Sequence, residues 1–186
     1  FAHQFCCLRL NTYLCIIMTY DELWRRLAAV YAAGEAKAIV RMVLDERFGL
    51  SATDVYCGKV TQLSSDKQTE LEKIMQRLEQ AEPVQYVLGT TMFCDKAIHV
   101  APGVLIPRPE TEELCRWVME MTVGDNPLIL DVGTGSGCIA ITLALELSGA
   151  KVTAWDVSTV AINIAGQNAF RLCADVNFML QDALTP

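Results

Sequence analysis

Residues 129–140 constrain this chain more than any other stretch, and they read Ile-Leu-Asp-Val-Gly-Thr-Gly-Ser-Gly-Cys-Ile-Ala. An apolar run leads into a loop with glycine at every second position, and an apolar helical pattern follows. Glycine lets the backbone turn sharply and lets a ligand approach closely. The amides at the start of the following helix favour negative or polar ligand atoms. The stretch predicts a buried strand that turns tightly into a helix beneath a ligand.

The glycine spacing narrows the class of ligand. Asp131 ends the predicted strand, and Asp156 ends the next one, where a carboxylate can accept hydrogen bonds from both hydroxyls of a ribose. A dinucleotide fingerprint counted from Gly133 needs a glycine at the position of Cys138. The spacing therefore favours S-adenosylmethionine over NAD, and the alternative is a glycine-rich turn without a ligand.

The second half of the chain alternates strand and helix patterns. Strands are predicted at 128–132, 151–155 and 176–180, with helices at 138–147 and 159–172. Such repeats predict a parallel sheet with right-handed crossovers. Asp182 and Ala183 follow the third strand, at the rim that faces the adenine in such folds; a turn cap is the alternative role for Asp182.

Five helical segments precede this region. The first begins at a Thr19 to Glu22 capping box, the second spans 35–48 after Gly34, the third and fourth are capped by Ser51 and Ser65, and the fifth spans 84–88. Their apolar positions have helical spacing and predict core contacts. The bundle indicates a recognition or positioning domain.

A hairpin and a stiff connector join the two regions. Strands are predicted at 91–94 and 97–100. Prolines on both sides hold Arg108 extended, which suits either a fixed contact with a carboxylate, a carbonyl or a substrate, or a rigid linker. A helix is predicted from Thr111, with its apolar face at Leu114, Trp117, Val118 and Met121.

Composition limits the classes of partner. The net charge of -7 opposes loose binding to nucleic acid or to an anionic membrane. No apolar run is long enough to span a bilayer. The 8 cysteines and 2 histidines lack metal-ligand spacing. Scattered cysteines favour free thiols in a reducing cytoplasm, and a disulfide in an exported protein is the alternative.

Three motifs together resemble the bacterial release factor glutamine methyltransferases, the HemK/PrmC family. The resemblance covers about residues 19–186, and a methionine at position 18 precedes it, so we expect residues 1–17 to be a non-native or disordered extension. The motifs are Pro-Val-Gln-Tyr-Val-Leu-Gly at 83–89, Val-Leu-Ile-Pro-Arg-Pro-Glu-Thr-Glu at 104–112, and Asp-Val-Gly-Thr-Gly-Ser-Gly-Cys-Ile-Ala at 131–140.

The resemblance implies an α/β fold in three parts: a helical substrate-recognition bundle at 18–89, a β-hairpin and extended linker at 90–108, and the first half of a Rossmann-like class I methyltransferase domain, a truncated parallel sheet, at 109–186. It also implies methylation, with S-adenosylmethionine as the donor, of the glutamine amide of the Gly-Gly-Gln motif of a peptide chain release factor. We expect a cytoplasmic monomer that binds neither nucleic acid, membrane nor metal. The residues implied at the cofactor are Gly133, Thr134, Gly135, Ser136, Gly137, Asp156, Asp182, Ala183 and Phe93, and those at the substrate cleft are Arg108 and Glu110.

The sequence departs from the family pattern in three places. Asp95 stands where the family usually has glycine, and Ile98 where it often has an aromatic residue. The Asn-Pro-Pro-Tyr motif that grips the acceptor amide in the family does not occur between Phe1 and Pro186. In the family this motif follows the fourth strand of the sheet, and we expect its position to lie beyond Pro186.

The missing motif sets the expected activity of the chain. We expect no catalytic residue up to Pro186, weak cofactor binding and no methyl transfer. The alternatives are another class I amide or amino methyltransferase, and a non-catalytic docking fragment.

Overall fold

The computed structural model describes residues 18–185, which form two compact units that divide between Glu79 and Gln80. Two of the sequence predictions fall outside the described residues: the extension at 1–17, and the end of the methyltransferase half-domain at Pro186, beyond which the acceptor motif is expected. Both therefore stay predictions, and the described part of the half-domain ends at Thr185.

The first unit is helical. Its elements are α1 (Tyr20–Leu27), α2 (Ala33–Phe48), α3 (Ala52–Tyr56), a 3-10 helix (Lys59–Gln62) and α4 (Ser65–Glu79). Capping residues at the helix ends and a continuous apolar core explain why these segments form helices. The predicted capping box is present, since the Glu22 amide donates to Thr19 Oγ1 at 3.3 Å and the Thr19 amide donates to Glu22 Oε2 at 2.8 Å. Gly49 ends α2 in the left-handed conformation, with a φ of 67°. The fully buried core side chains include Leu23, Leu27, Val40, Val43, Leu44, Leu71, Met75 and Leu78.

Two boundaries in this unit differ from the sequence prediction. Helix α2 begins at Ala33 and includes Gly34, because a glycine in the first turn costs a helix less than one in its interior. The serine that caps the start of α4 is Ser64, and the predicted Ser65 is the first residue of the helix. The Ser64 carbonyl accepts from the Gln68 amide at 2.8 Å, and the Ser64 hydroxyl accepts from the Lys67 amide at 3.5 Å.

The second unit contains a hairpin and a parallel sheet. Strands β1 and β2 pair antiparallel, and β3, β4 and β5 form a parallel sheet in that order. The predicted fold class is confirmed: a helical region, a hairpin and a partial parallel α/β sheet. The elements are α5 (Val84–Leu88), β1 (Thr90–Phe93), β2 (Lys96–His99), α6 (Pro109–Met121), β3 (Leu128–Val132), α7 (Cys138–Glu146), β4 (Lys151–Asp156), α8 (Thr159–Leu172) and β5 (Val176–Leu180).

The hairpin is part of the core of this unit. One apolar cluster joins the hairpin and the segment after it to helices α6, α7 and α8, through Phe93, Ile98, Val100, Val104, Cys115, Cys138, Ala161 and Ile164. A second cluster lies between α7 and the sheet, at Ala140, Val152 and Ala154. The hairpin is therefore held against the helices that follow the glycine turn.

The predictions for the hairpin and for α6 were wrong in detail. Both hairpin strands begin one residue earlier than predicted. Helix α6 begins at Pro109, because proline suits the first turn, where its missing N–H is not needed. Its predicted apolar face is exposed, with Leu114, Trp117 and Met121 at 47%, 68% and 77%, and Val118 is half-buried. The buried side of α6 centres on Cys115, because α6 packs against α7 on that side.

Candidate functional site

The glycine turn between β3 and α7 is anchored on the end of β4. The amides of Gly133 and Thr134 both donate to the Trp155 carbonyl, at 2.8 and 2.9 Å. Gly133, Gly135 and Gly137 have φ angles of 77°, 55° and 81°, all left-handed. Residues that carry a side chain rarely adopt this backbone conformation, which is why the turn needs three glycines.

The three glycines face different surroundings. A Cβ built on Gly133 would have no atom within 4 Å, and one on Gly135 would meet only a backbone oxygen at 4.0 Å. A Cβ on Gly137 would lie 2.9 Å from the Ala165 Cβ of α8. The first two glycines thus border open space that a ligand can use, and the third allows α8 to approach the turn.

Asp156 is held in place by backbone amides on two sides. Its Oδ2 accepts from the Gly135 amide at 2.9 Å, and its Oδ1 accepts from the Ser158 amide at 2.9 Å. A carboxylate has about four acceptor positions, so each oxygen keeps one for another donor. The arrangement presents a fixed carboxylate beside the open part of the turn, which is what the two hydroxyls of a ribose require.

Asp131 lies on the strand that enters the turn. Its Oδ2 accepts from the Thr134 hydroxyl at 2.7 Å. Burial raises the pKa of Asp131; the Thr134 hydroxyl and the Ala140 backbone amide oppose the rise, and the nearby charge of Asp156 adds to it. Two carboxyl groups at one turn favour a ligand that carries positive charge.

Thr134 and Ser136 are buried, at 5% and 3% exposure, so their functional roles at a ligand stay predictions. Asp182 and Ala183 follow β5 and are exposed. Asp182 Oδ1 accepts from the Leu184 amide at 2.9 Å, which is the turn-capping bond considered from the sequence, and its role at an adenine stays a prediction.

The predicted residues outside the turn have different surroundings. Phe93 is only 1% exposed and packs in the hairpin cluster. Arg108 is exposed and extended, with φ -107° and ψ 149°, and the structure of residues 18–185 shows no hydrogen bond or ion pair to its guanidinium. Glu110 is exposed in the first turn of α6. No hydrogen bond joins these three described side chains to the glycine turn, and their functional roles stay predictions.

Two residues that the sequence did not single out connect the hairpin to the rest of the unit. Glu112 Oε1 accepts from the Cys94 amide at 3.0 Å and thereby ties the hairpin turn to α6. Asn168 bonds both to β2 and to the glycine turn. A polar residue on the otherwise apolar face of α8 is the signal by which Asn168 could have been found.

Within residues 18–185, Cys57, Cys94, Cys115, Cys138 and Cys173 are free thiols, and no group of three or more potential metal ligands occurs. In the same part of the chain, none of the helices combines the length and the apolar character needed to cross a bilayer.

Known sequences match both units. The family described as "PrmC N-terminal domain" matches residues 21–89, and the family described as "Ribosomal protein L11 methyltransferase (PrmA)" matches residues 108–183. The release factor glutamine methyltransferase of Bacteroides thetaiotaomicron is 46% identical over 159 residues, which are 84% of this chain and 56% of the relative. The chain is thus similar to release factor glutamine methyltransferases over most of its length.

A second relative with the same name, from Flavobacterium psychrophilum, is 35% identical over 85% of this chain and 57% of its own length. The chain thus spans about half the length of the curated relatives it matches. Among solved structures, the Pyrococcus abyssi tRNA (uracil-54, C5)-methyltransferase in complex with S-adenosyl-L-homocysteine is 24% identical, over 50% of this chain and 23% of that one, with a TM-score of 0.42. This low overlap supports no argument about function.

Proposed function

We propose that this chain carries the cofactor-binding part of a methyltransferase that acts on a peptide chain release factor. The methyl group would pass from S-adenosylmethionine to the side-chain amide nitrogen of the glutamine in a Gly-Gly-Gln motif. The observation that carries the proposal is the left-handed glycine turn, fixed by the Trp155 carbonyl and placed beside the doubly anchored carboxylate of Asp156. The similarity to release factor glutamine methyltransferases supplies the acceptor.

The residues present fit this cofactor. When bound, S-adenosylmethionine supplies an electrophilic methyl group on a positively charged sulfur. In this proposal the backbone of residues 133–137 holds the methionine part, and Asp156 accepts the ribose hydroxyls. Asp182 and Ala183 border the adenine, while Phe93 and Arg108 belong to the hairpin and the connector beside the cleft. Catalysis in such a site comes mainly from positioning and from electrostatic placement.

The helical unit takes the role of recognising the release factor in this proposal. Its basis is the match of residues 21–89 to the N-terminal domain of the family. Release factors act in the cytoplasm, so the proposal places the protein there, as a monomer that makes no direct contact with nucleic acid. The net charge of -7 agrees with a specific protein partner and not with an RNA surface.

Calorimetry with S-adenosylmethionine tests the cofactor part. We expect weak binding by the chain and at least about tenfold weaker binding by Asp156→Asn, since the amide keeps one acceptor oxygen where the carboxylate has two. Asp175→Asn is the matched control, because Asp175 is exposed and directly precedes β5. It therefore lies at the start of a strand, whereas Asp156 lies at the carboxyl end of the parallel strand β4. Absence of binding heat in the unaltered chain would support a docking fragment instead.

A second candidate acceptor comes from the match of residues 108–183 to the ribosomal protein L11 methyltransferases. The two acceptors are compared by measuring the affinity of the chain for a purified release factor and for purified ribosomal protein L11. We expect measurable binding only to the release factor. With labelled cofactor, we expect no methyl incorporation into either protein, because the acceptor-gripping Asn-Pro-Pro-Tyr motif does not occur in the sequence.

A further inference from the structure

A buried asparagine on α8 stands out from its surroundings. Asn168 is 0% exposed, and its neighbours on the buried face of the helix are apolar: Ala161, Ile164, Ala165 and Ala169. A buried side-chain amide is costly unless its hydrogen bonds are made. The side chain therefore needs specific partners, and the structure shows three hydrogen bonds to it.

Both ends of the Asn168 amide bond to the backbone of β2. Its Oδ1 accepts from the His99 amide at 2.7 Å, and its Nδ2 donates to the His99 carbonyl at 2.9 Å. The side chain thus pairs with His99 as a residue of a neighbouring strand would. The second N–H of the same Nδ2 donates to the Ser136 carbonyl at 2.9 Å, inside the glycine turn. One side chain therefore links the hairpin to the turn.

The packing around the turn brings Asn168 within reach. Ala165 precedes Asn168 by about one helical turn, and a Cβ on Gly137 would lie 2.9 Å from the Ala165 Cβ. Only glycine at position 137 permits this approach of α8. On the other side, the His99 ring Nδ1 lies 2.6 Å from the Gly89 carbonyl oxygen, so His99 is held from both directions.

We propose that Asn168 is a positioning residue that fixes the glycine turn against strand β2 and keeps residues 135–137 in their ligand-ready conformation. The Trp155 carbonyl and Asp156 hold the sheet side of the turn, and Asn168 holds the side that faces the hairpin. The role of the turn in cofactor binding rests on the proposed function. The mechanical link between the turn and the hairpin is independent of it.

Hydrogen exchange of the cofactor-free chain tests the link. Asn168→Asp keeps the shape and the acceptor but removes at least one of the two donors, because a carboxyl group has at most one O–H for the two carbonyls that Nδ2 contacts. We expect amide exchange in 134–139 and 96–100 to accelerate about tenfold, with 151–156 unchanged. Asn163→Asp is the matched control, because Asn163 lies on the same helix outside its buried set, and it should change none of these segments.

The pattern of exchange separates positioning from general stability. Equal acceleration in all segments, including 151–156, or no acceleration in 134–139, would overturn the proposal. Should Asn168→Asp fail to fold, Asn168→Ser takes its place. Its hydroxyl has one donor instead of two, and a smaller acceleration confined to the same two segments is then expected.

Calorimetry with S-adenosylhomocysteine connects the link to the site. Among folded proteins we expect about tenfold weaker binding by Asn168→Asp and unchanged binding by Asn163→Asp. If the unaltered chain binds and Asn168→Asp binds equally well, the positioning role is wrong while the proposed function stands. If the unaltered chain does not bind, the proposed cofactor function fails and the exchange experiment still decides the mechanical link.

Discussion

At the scale of single residues, the turn glycines differ in why they are needed. Gly133 needs only a left-handed backbone, whereas Gly137 also needs the absence of a Cβ that would lie 2.9 Å from Ala165. We expect Gly133→Ala to lower the free energy of unfolding by about 1 kcal/mol, and Gly137→Ala by about 3 kcal/mol. Urea unfolding measures both, and equal costs would contradict the packing role of Gly137.

The half-buried Asp131 gives a residue-scale prediction with a defined sign. Burial raises its pKa above the ordinary 3.8, so between these two values the folded chain binds more protons than the unfolded chain. The stability contributed by this group therefore falls as pH rises from about 3.8 through the raised pKa. In Asp131→Asn this loss is absent.

The measurement for Asp131 is the difference in unfolding free energy between Asp131→Asn and the unaltered chain, followed by urea titration from about pH 3.5 to about pH 7. That difference should move in favour of the asparagine variant as pH rises, and then level off. A difference that is independent of pH, or that moves the other way, would show that the pKa of Asp131 is not raised.

How much of the site can be predicted from sequence depends on how local each requirement is. The glycines and Asp156 could be predicted, because a left-handed turn and a carboxylate at a strand end are properties of short segments. The contacts of Asn168 and Glu112 could not, even though the polar position of Asn168 on an apolar helix face is visible in the sequence, since their partners Ser136 and Cys94 lie 32 and 18 positions away. Hydrogen bonds of that kind depend on how helices pack after they form.

At the scale of elements, α8 offers a stabilising substitution. Gly166 lies inside this helix, and a Cβ built on it would have no atom within 4 Å. Gly166→Ala should raise the free energy of unfolding by about 0.5–1 kcal/mol, because it removes backbone freedom from the unfolded chain. Gly49→Ala is the contrasting variant. Because Gly49 has a left-handed backbone at the end of α2, this substitution should lower the free energy of unfolding by about 1 kcal/mol. Denaturant midpoints test both signs.

Helix α6 shows where element prediction from sequence stops. Its existence follows from helical periodicity, but its buried face does not, because Leu114, Trp117 and Met121 form an apolar stripe that remains exposed. The side that packs carries Cys115, a small residue that lets α6 approach α7 closely. Periodicity locates apolar side chains, whereas the partner helix determines which of them are buried.

At the scale of the whole molecule, the two units point to a function in different ways. The second unit contains the candidate site, in which backbone amides hold the Asp156 carboxylate beside the glycine turn. The helical unit is stabilised largely by its apolar core, with Arg26 bridging α1 to Glu72 and Glu79 of α4 at 2.7 Å each. The recognition role proposed for it rests on the match of residues 21–89, and binding experiments with a release factor test that role.

The sheet of the second unit leads to the final prediction. Among the described strands β3 pairs only with β4, and its Leu128, Leu130 and Val132 are 81%, 51% and 52% exposed. An apolar strand with an unpaired edge favours association between molecules. We expect the chain to be monomeric when dilute and to associate as its concentration rises, and Leu130→Lys to reduce that association because charge on an edge strand opposes pairing. Phe170→Lys is the control, since Phe170 is an exposed apolar residue on α8, away from the edge strand. Sedimentation velocity over a concentration series measures the effect, and an equal response to both lysines would show that general charge, and not the edge of β3, controls association.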